Sequence, residues 1–324
     1  TTRTLLLQGL ALIANFLLTI LLIPEQYGIF FGVSALVDFL IIFSDIGLGA
    51  ALIQKKDSLT EADLRTTFTV QQILVNTLVV LALIFSRPIG IFYGLSPEGI
   101  WLFRVLAISL TLASLKTIPS IKLERKLEFH KLIIPQIIEN LFFYVTAVTL
   151  AWQGFGVSSF IWAVLLRGIS GLITMYIVSP WWPKFALNKS VIKNLFSFGA
   201  PFQLNTIMAF VKDKLLIAYL FKVLTPAQIG YLGWAQKWSL YPLQLVMDSI
   251  SKVTFPAYAR LQNQKQSLEK AINKSLFFTS LFIFPMIIGL IATAPAFVRL
   301  IPRYSQWQPA LLALGFFCIN SLWS

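Results

Sequence analysis

Apolar runs of about 20 residues, separated by short charged turns, occupy almost the whole sequence. An α-helix of that length spans the roughly 30 Å hydrocarbon layer of a membrane, and it satisfies its backbone hydrogen bonds within one segment. Charged residues account for only 12% of the 324 residues, which is too little to cover the surface of a soluble protein of this size. The sequence therefore predicts an all-α polytopic membrane protein.

The runs define about ten predicted membrane spans. They lie near 4–23, 28–53, 65–86, 99–121, 132–152, 156–178, 194–221, 227–255, 269–294 and 308–324. Proline within a span, such as Pro119, is tolerated where a neighbouring helix or a wet cavity satisfies the freed carbonyl. Tryptophans near the run ends are expected to be interfacial anchors, namely Trp101, Trp152, Trp181, Trp182 and Trp307.

Lysine and arginine are concentrated in alternate turns between these spans. One set of turns holds Lys55, Lys56, Arg65, Lys122, Arg125, Lys126, Lys131, Lys184, Lys189, Lys193, Arg260, Lys265, Lys270 and Lys274, and the other holds only Arg87, Lys222, Arg299 and Arg303. Cytoplasmic turns carry the basic excess in multi-pass proteins. The N-terminus and the first set are therefore expected on the cytoplasmic side of the cell inner membrane. The same rule accounts for the net charge of +13. A nucleic acid is therefore not expected as a partner.

A short turn occurs twice, as PEQYG at 24–28 and as PAQIG at 226–230. Aligning the two copies also pairs Pro88 with Pro295 and Trp101 with Trp307, so spans one to four resemble spans seven to ten. Six spans separate the copies, and both halves therefore enter the membrane from the same side, as a parallel repeat. The repeat predicts an N-terminal six-helix bundle over 1–180 and a C-terminal bundle over 181–324, expected to be incomplete.

Elementary chemistry explains the repeated turn itself. Proline starts a helix well, since its missing N–H would have no partner in the first turn. Glycine lets neighbouring helices approach closely. The two turns should therefore begin helices two and eight and allow tight packing there.

Ionisable residues inside the predicted spans are functional candidates, because each costs a few kcal/mol in the membrane unless it is paired or faces water. Asp38, Arg167, Asp213 and Lys237 lie at similar depth in four spans, near the midplane. The predicted substrate cavity consists of these residues, the flanking lysines and a polar stripe on span one: Lys212, Asp213, Lys214, Lys237, Asp38, Arg167, Gln8 and Asn15. Lysine and arginine at this depth suit an anionic headgroup.

Other intramembrane charges have simpler interpretations. Arg3, Lys116 and Lys252 are expected to extend towards the cytoplasmic interface. Glu139 and Arg167 lie at similar depth on consecutive antiparallel spans, so a structural ion pair and a substrate contact are both open.

Four stretches resemble the polysaccharide flippase family, whose members include the exporters of O-antigen, colanic acid and teichuronic acid. They are PEQYGIFFGVSALVDFLIIFSDIGLGAALIQKKDSLTEADLRTTF (24–68), IPSIKLERKLEFHKL (118–132), DKLLIAYLFKVLTPAQIGYLGWAQKWSLYPLQLV (213–246) and VTFPAYARLQ (253–262). The resemblance implies the fold of the multidrug/oligosaccharidyl-lipid/polysaccharide (MOP) exporters, with two six-helix bundles and a cavity lined by helices one, two, seven and eight. Members of the family carry 12 to 14 helices, and this chain departs from that number.

The resemblance further implies a flippase for undecaprenyl-diphosphate-linked oligosaccharide that works by alternating access, with a polysaccharide polymerase and glycosyltransferases as partners. A membrane glycosyltransferase or polymerase is not expected, because the sequence has no Asp-x-Asp pair and no long outer loop. A cation-coupled multidrug exporter of the same fold is the alternative. No cofactor is expected, and coupling to H⁺ or Na⁺, with Asp38 or Asp213 as carrier, is left open.

Overall fold

Helices make up the architecture in the computed structural model of the chain, which describes residues 2–44, 47–55, 57–193 and 215–323. Six of the helices in these ranges are long and apolar enough to cross a membrane, namely α2, α4, α6, α8, α9 and α11 below. In chain order the helices are α1 (Thr2–Leu21), α2 (Pro24–Ser44), α3 (Leu48–Gln54), α4 (Glu61–Ile84), α5 (Ser86–Tyr93), α6 (Pro97–Leu115), α7 (Thr117–Arg125), α8 (Phe129–Trp152), α9 (Ser158–Val178), α10 (Pro226–Leu261), α11 (Lys265–Leu300) and α12 (Ala310–Trp323), with shorter helical stretches at 189–193 and 215–223 and a 3-10 turn at Tyr304–Trp307. The prediction of an all-α membrane protein is confirmed.

Packing divides the chain into two units, each described by itself. The terminal unit comprises Thr1–Gly28 and Ala227–Ser324, and the central unit comprises Ile29–Pro226. The bundle boundary predicted near residue 180 rests on the sequence repeat, whereas these two units are defined by packing contacts. The predicted boundary is therefore not tested by the units and stays a prediction.

The two repeated turns behave as their prolines predicted. Helix α2 begins at Pro24 and α10 begins at Pro226. Within the terminal unit the two turns also contact each other, since a Cβ placed on Gly230 would overlap the carbonyl oxygen of Pro24 and lie 3.2 Å from the Gly28 nitrogen. The glycine therefore permits close packing between the two copies of the turn.

Gly230→Ala should destabilise the protein by about 1–3 kcal/mol, the usual cost of overpacking. The new Cβ would meet a backbone oxygen, which cannot rotate away as a side chain can. The apparent melting temperature of the purified full-length protein in one detergent measures the effect. Gly289→Ala on α11 is the matched control, because nothing lies within 4 Å of a Cβ placed there, and it should leave the melting temperature unchanged or raise it. Equal melting temperatures for both variants would contradict the tight contact.

Two of the predicted spans are each broken into a long and a short helix. The span predicted at 28–53 ends as α2 at Ser44 and resumes as α3 after Gly47, whose backbone is left-handed at φ 70°. The span predicted at 99–121 breaks at Lys116, between α6 and α7. Pro119 has no N–H to donate to the Leu115 carbonyl, and the Tyr176 hydroxyl of α9 donates to that carbonyl instead, at 3.1 Å. The expectation that a neighbouring helix satisfies the freed carbonyl is confirmed here.

Tryptophan does not act uniformly as an interfacial anchor. Trp101, Trp152 and Trp182 are exposed, as predicted, but Trp181 and Trp307 are buried in the cores of the central and terminal units. The indole of Trp307 stacks on Trp234 with centroids 5.7 Å apart, and its N–H donates to the Thr19 carbonyl at 2.6 Å. Thr19 lies in the last turn of α1, where carbonyls lack helical partners. The indole N–H of Trp307 supplies the hydrogen bond that this carbonyl would otherwise lack.

The basic turns at one end of the central unit are joined by Arg125, at the end of α7. Its guanidinium donates to the carbonyls of Leu52, Lys55 and Asp57, at 2.7 to 2.8 Å. These bonds connect the end of α3 and the following turn to α7. The apolar side chains beneath form one core cluster: Leu48, Ala51, Leu52, Leu64, Phe68, Ile118, Ile121 and Trp181.

Candidate functional site

A half-buried lysine in the terminal unit forms the first candidate site. Lys237 of α10 donates to the side-chain oxygen of Asn15 on α1 at 2.5 Å. The Asn15 amide nitrogen donates to the Ala11 carbonyl at 2.6 Å and to the Tyr241 hydroxyl at 3.0 Å. Tyr241 follows Lys237 by one helical turn, so both side chains lie on the same face of α10. Asn15 is only 5% exposed, and hydrogen bonds hold both ends of its amide group. Its oxygen therefore fixes the position of the Lys237 ammonium group.

The hydrogen-bond partner that the structure shows for Lys237 is the neutral side chain of Asn15. Among the described side chains, no carboxylate lies within ion-pair distance of the Lys237 nitrogen. The hydrogen bond that the ammonium group donates to the Asn15 amide oxygen orients this group but does not cancel its charge. A positive charge in a membrane-spanning helix is costly unless an anion or water faces it. The chemistry of this site therefore suits an anion, which Lys237 would bind through a charge-assisted hydrogen bond.

An apolar cavity of about 340 Å³ lies in the same unit. Phe16 and Trp238, the residues that directly follow Asn15 and Lys237, both line it, together with side chains of α11 and α12. The Tyr304 hydroxyl contributes a polar group, and it accepts hydrogen bonds from the Trp234 indole at 3.1 Å and from the Thr19 hydroxyl at 3.2 Å. The lining suits a hydrocarbon group close to a bound anion.

The central unit contains a second candidate site, a polar cavity of about 350 Å³. Four ionisable side chains line it: Asp38 of α2, Lys116 between α6 and α7, Glu139 of α8 and Arg167 of α9. Lys116 and Glu139 form an ion pair, and the Arg167 Nε lies 3.8 Å from the other Glu139 oxygen. The side chains of Lys116 and Glu139 are 17% and 14% exposed, whereas that of Arg167 is 50% exposed. Two acids and two bases balance in formal charge, so this cavity is an ion network rather than a basic site.

A further cavity of about 510 Å³ shares Lys116 and Glu139 with the polar cavity and extends past Ser120 and Glu124. The ion pair therefore lies between two cavities of the central unit. Gly171 of α9 makes room for the carboxylate, because a Cβ there would overlap the Glu139 side chain. The position of Glu139 is thus set by both of its cationic neighbours and by a close helix contact.

The structure brings together two groups of the predicted site residues. Asn15 contacts Lys237 in the terminal unit, and Asp38 and Arg167 line one cavity in the central unit. Gln8 lies two turns before Asn15 on the same side of α1 and is half-buried. Lys212, Asp213 and Lys214 lie outside the described residues. That all these residues form one substrate cavity stays a prediction.

Lys116 makes a contact that the sequence did not predict. It was expected to extend to the cytoplasmic interface, whereas it pairs with Glu139 inside the central unit. An ion pair between Glu139 and Arg167, one of the two interpretations that the sequence left open, is present, but it is the longer of the two that Glu139 makes. Pro119 was the signal in the sequence for a helix break at this point. The break at Lys116 determines the direction in which this side chain leaves the helix.

The fold of the chain is one that known multi-pass membrane transporters share. The lipid II flippase MurJ, in an inward closed conformation, superimposes with a TM-score of 0.75 over 99% of this chain and 73% of that one, at 17% identity. An inward-facing multidrug resistance MATE family transporter of the MOP superfamily superimposes with a TM-score of 0.67 over 97% of this chain and 78% of that one, at 15% identity. These similarities establish the MOP fold expected from the sequence.

The chain belongs to the polysaccharide biosynthesis protein family, whose model matches residues 17–311. Two curated relatives are similar over most of this chain. The succinoglycan biosynthesis transport protein ExoT of Rhizobium meliloti (strain 1021) is 25% identical over 315 residues, which cover 96% of this chain and 63% of the relative. The teichuronic acid biosynthesis protein TuaB of Bacillus subtilis (strain 168) is 27% identical over 282 residues, which cover 85% of this chain and 57% of the relative. The chain thus spans about three-fifths of the length of these relatives.

Proposed function

We propose that this chain forms most of a flippase that moves a lipid-linked anionic oligosaccharide across the cell inner membrane, for the assembly of a surface polysaccharide. Lys237 carries the proposal, since it is a half-buried cation whose hydrogen-bond partner is the neutral Asn15 amide, in a helix that the sequence predicts to span the membrane. A diphosphate that links a prenyl lipid to a sugar would supply the missing negative charge. The apolar cavity beside it suits part of the prenyl chain.

The family and the fold support this cargo class. The relatives are named for succinoglycan transport and for teichuronic acid biosynthesis, and one structural neighbour is a flippase for lipid II. The proposed activity is transport by alternating access, without a covalent step. The N-terminus and the basic turns are proposed to face the cytoplasm, where the lipid-linked substrate and its glycosyltransferases would be. A polysaccharide polymerase is the partner proposed on the outer side.

A cation-coupled multidrug exporter is the second candidate, because a MATE family transporter shares the fold. Such an exporter would be expected to hold its cationic drugs with acidic groups. The described part of the terminal unit instead offers a lysine without a carboxylate nearby. This difference favours an anionic cargo.

Complementation of a bacterial strain that lacks its own polysaccharide flippase tests the proposal. The full-length protein should restore surface polysaccharide, measured by immunostaining of whole cells, and should leave the susceptibility to cationic drugs unchanged. Resistance to such drugs without surface polysaccharide would support the multidrug exporter and reject the flippase.

A further inference from the structure

A segment at one end of the central unit combines exposed aromatic side chains with lysines. Residues 180–193 (PWWPKFALNKSVIK), hereafter the arm, connect α9 to the part of the chain that precedes residue 215. The arm is extended or irregular over 180–188 and helical over 189–193. Helix α9 is long and apolar enough to cross a membrane and ends at Val178, so we expect the arm to begin near the edge of the hydrocarbon layer.

The arm is held firmly against α4 and α7. Trp181 is buried and packs edge-on against Phe68, with ring centroids 5.2 Å apart, and Val191 contacts the same core cluster. Between these two points the Ala186 N–H donates to the Thr69 hydroxyl at 3.0 Å. The Asn188 side chain accepts from the Ser190 N–H at 3.0 Å and so caps the helical turn at its start. The backbone of the arm is therefore fixed at several positions along its length.

The apolar side chains between the two anchor points are exposed. Trp182 is 86% exposed, Phe185 75% and Leu187 63%, although the Phe185 ring also contacts Phe68. Ordered segments that present large aromatic side chains at the end of a membrane span typically place them in the headgroup region of the bilayer.

The charges of the arm have one sign. Lys184, Lys189 and Lys193 are exposed, and the sequence 180–193 contains no aspartate or glutamate. Among the described side chains, no carboxylate lies within ion-pair distance of these lysines, and the acids at the start of α4 pair elsewhere, Asp63 with Lys55 and Glu61 with Arg65. The arm lysines are therefore available to phosphate groups at the membrane surface.

We infer that the arm is a binding site for anionic phospholipid of the bilayer, in which Trp182, Phe185 and Leu187 insert between the lipids and the lysines bind headgroup phosphates. The inference does not depend on the proposed cargo. It concerns lipids that surround the protein and remain bound at the membrane surface. Lysines near an anionic membrane surface strengthen binding by about fivefold each, and salt weakens this effect.

Nanodiscs that contain only phosphatidylcholine and phosphatidylglycerol test this site without any cargo lipid. Native mass spectrometry of the full-length protein gives the ratio of the two lipids that stay bound. The triple variant Lys184→Gln, Lys189→Gln, Lys193→Gln should lower the preference for phosphatidylglycerol roughly tenfold or more. The matched control is Lys265→Gln, Lys270→Gln, Lys274→Gln, which removes the same charge from exposed positions of α11 and should retain most of the preference.

A second measurement follows insertion of the aromatic side chain. Brominated phosphatidylglycerol quenches tryptophan fluorescence on contact. The quenching is measured in a protein with Trp182 and in the same protein with Trp182→Phe, and the part that the substitution removes reports on Trp182 alone. This part should be large in wild-type protein and smaller in the arm triple variant. An unchanged lipid preference in the arm variant, or an equal loss in both triple variants, would overturn the inference. Absence of quenching at Trp182 would also overturn it, and would leave the arm free for a soluble acidic partner.

Discussion

Cells that carry Lys237→Ala in the full-length protein are expected to lose surface polysaccharide almost completely while the protein still inserts into the membrane. The substitution removes a charge-assisted hydrogen bond to the proposed diphosphate, worth about 1.5–3 kcal/mol, which corresponds to a loss of roughly tenfold to more than a hundredfold. Lys237→Arg should retain part of the activity, because the charge remains but its position changes. Surface polysaccharide measured at equal protein level gives the result.

Asn15→Asp tests the same idea without changing the lysine. A carboxylate at residue 15 would lie beside the Lys237 ammonium, whose present partner is the Asn15 oxygen, and would neutralise its charge. This variant should therefore lose activity as Lys237→Ala does. Lys270→Ala, at an exposed position of α11, is the control for the loss of one positive charge elsewhere. Normal polysaccharide in the Lys237→Ala and Asn15→Asp strains would show that the anion is bound elsewhere.

The contact between α1 and α10 at Asn15 and Lys237 could be predicted in part from the sequence. The polar positions of span one repeat at helical spacing, and the repeated turns at Pro24 and Pro226 identify helices two and eight as equivalent. These patterns indicate which helices carry polar faces. They do not indicate which polar residue meets which, because the contact joins residues more than 200 positions apart and depends on how the helices pack.

The helix breaks were harder to predict. The sequence predicts one span over 99–121, although the apolar pattern of α6 weakens after Lys116 and α7 is more polar. The break depends on Pro119, on the Tyr176 hydroxyl that satisfies the Leu115 carbonyl, and on the packing of both helices in the central unit. A side chain such as Lys116, at the break, therefore cannot be placed from its distance to the end of a continuous helix.

The burial of Trp307 shows a related limit of sequence reasoning. Position near the end of an apolar run predicts an interfacial tryptophan. The 3-10 turn at Tyr304–Trp307 instead directs the indole into the terminal unit, where it caps α1 and stacks on Trp234. Local hydropathy contains no signal for this contact, because it requires the end of α1 and the start of α12 to be neighbours in space.

Glu139→Gln is expected to destabilise the protein by up to about 3 kcal/mol, since it leaves the partly buried Lys116 without its counter-ion. Lys116→Gln should destabilise by a similar amount, because Glu139 would retain only the longer contact with the half-exposed Arg167. The double variant removes both charges while it keeps the side-chain volumes. Its stability should be close to that of wild-type protein, and a double-mutant cycle of apparent melting temperatures measures the coupling between the two residues.

The same three variants separate the two roles left open for Glu139. If the ion pair only holds α8 against the break between α6 and α7, the double variant should recover surface polysaccharide along with stability. If the pair opens during transport so that one of its members contacts the cargo, the double variant should be stable and still inactive. The location of the pair between two cavities favours the second result. A Glu139→Gln protein as stable as wild type would contradict both roles, because each requires an ion pair that contributes to stability in the resting structure.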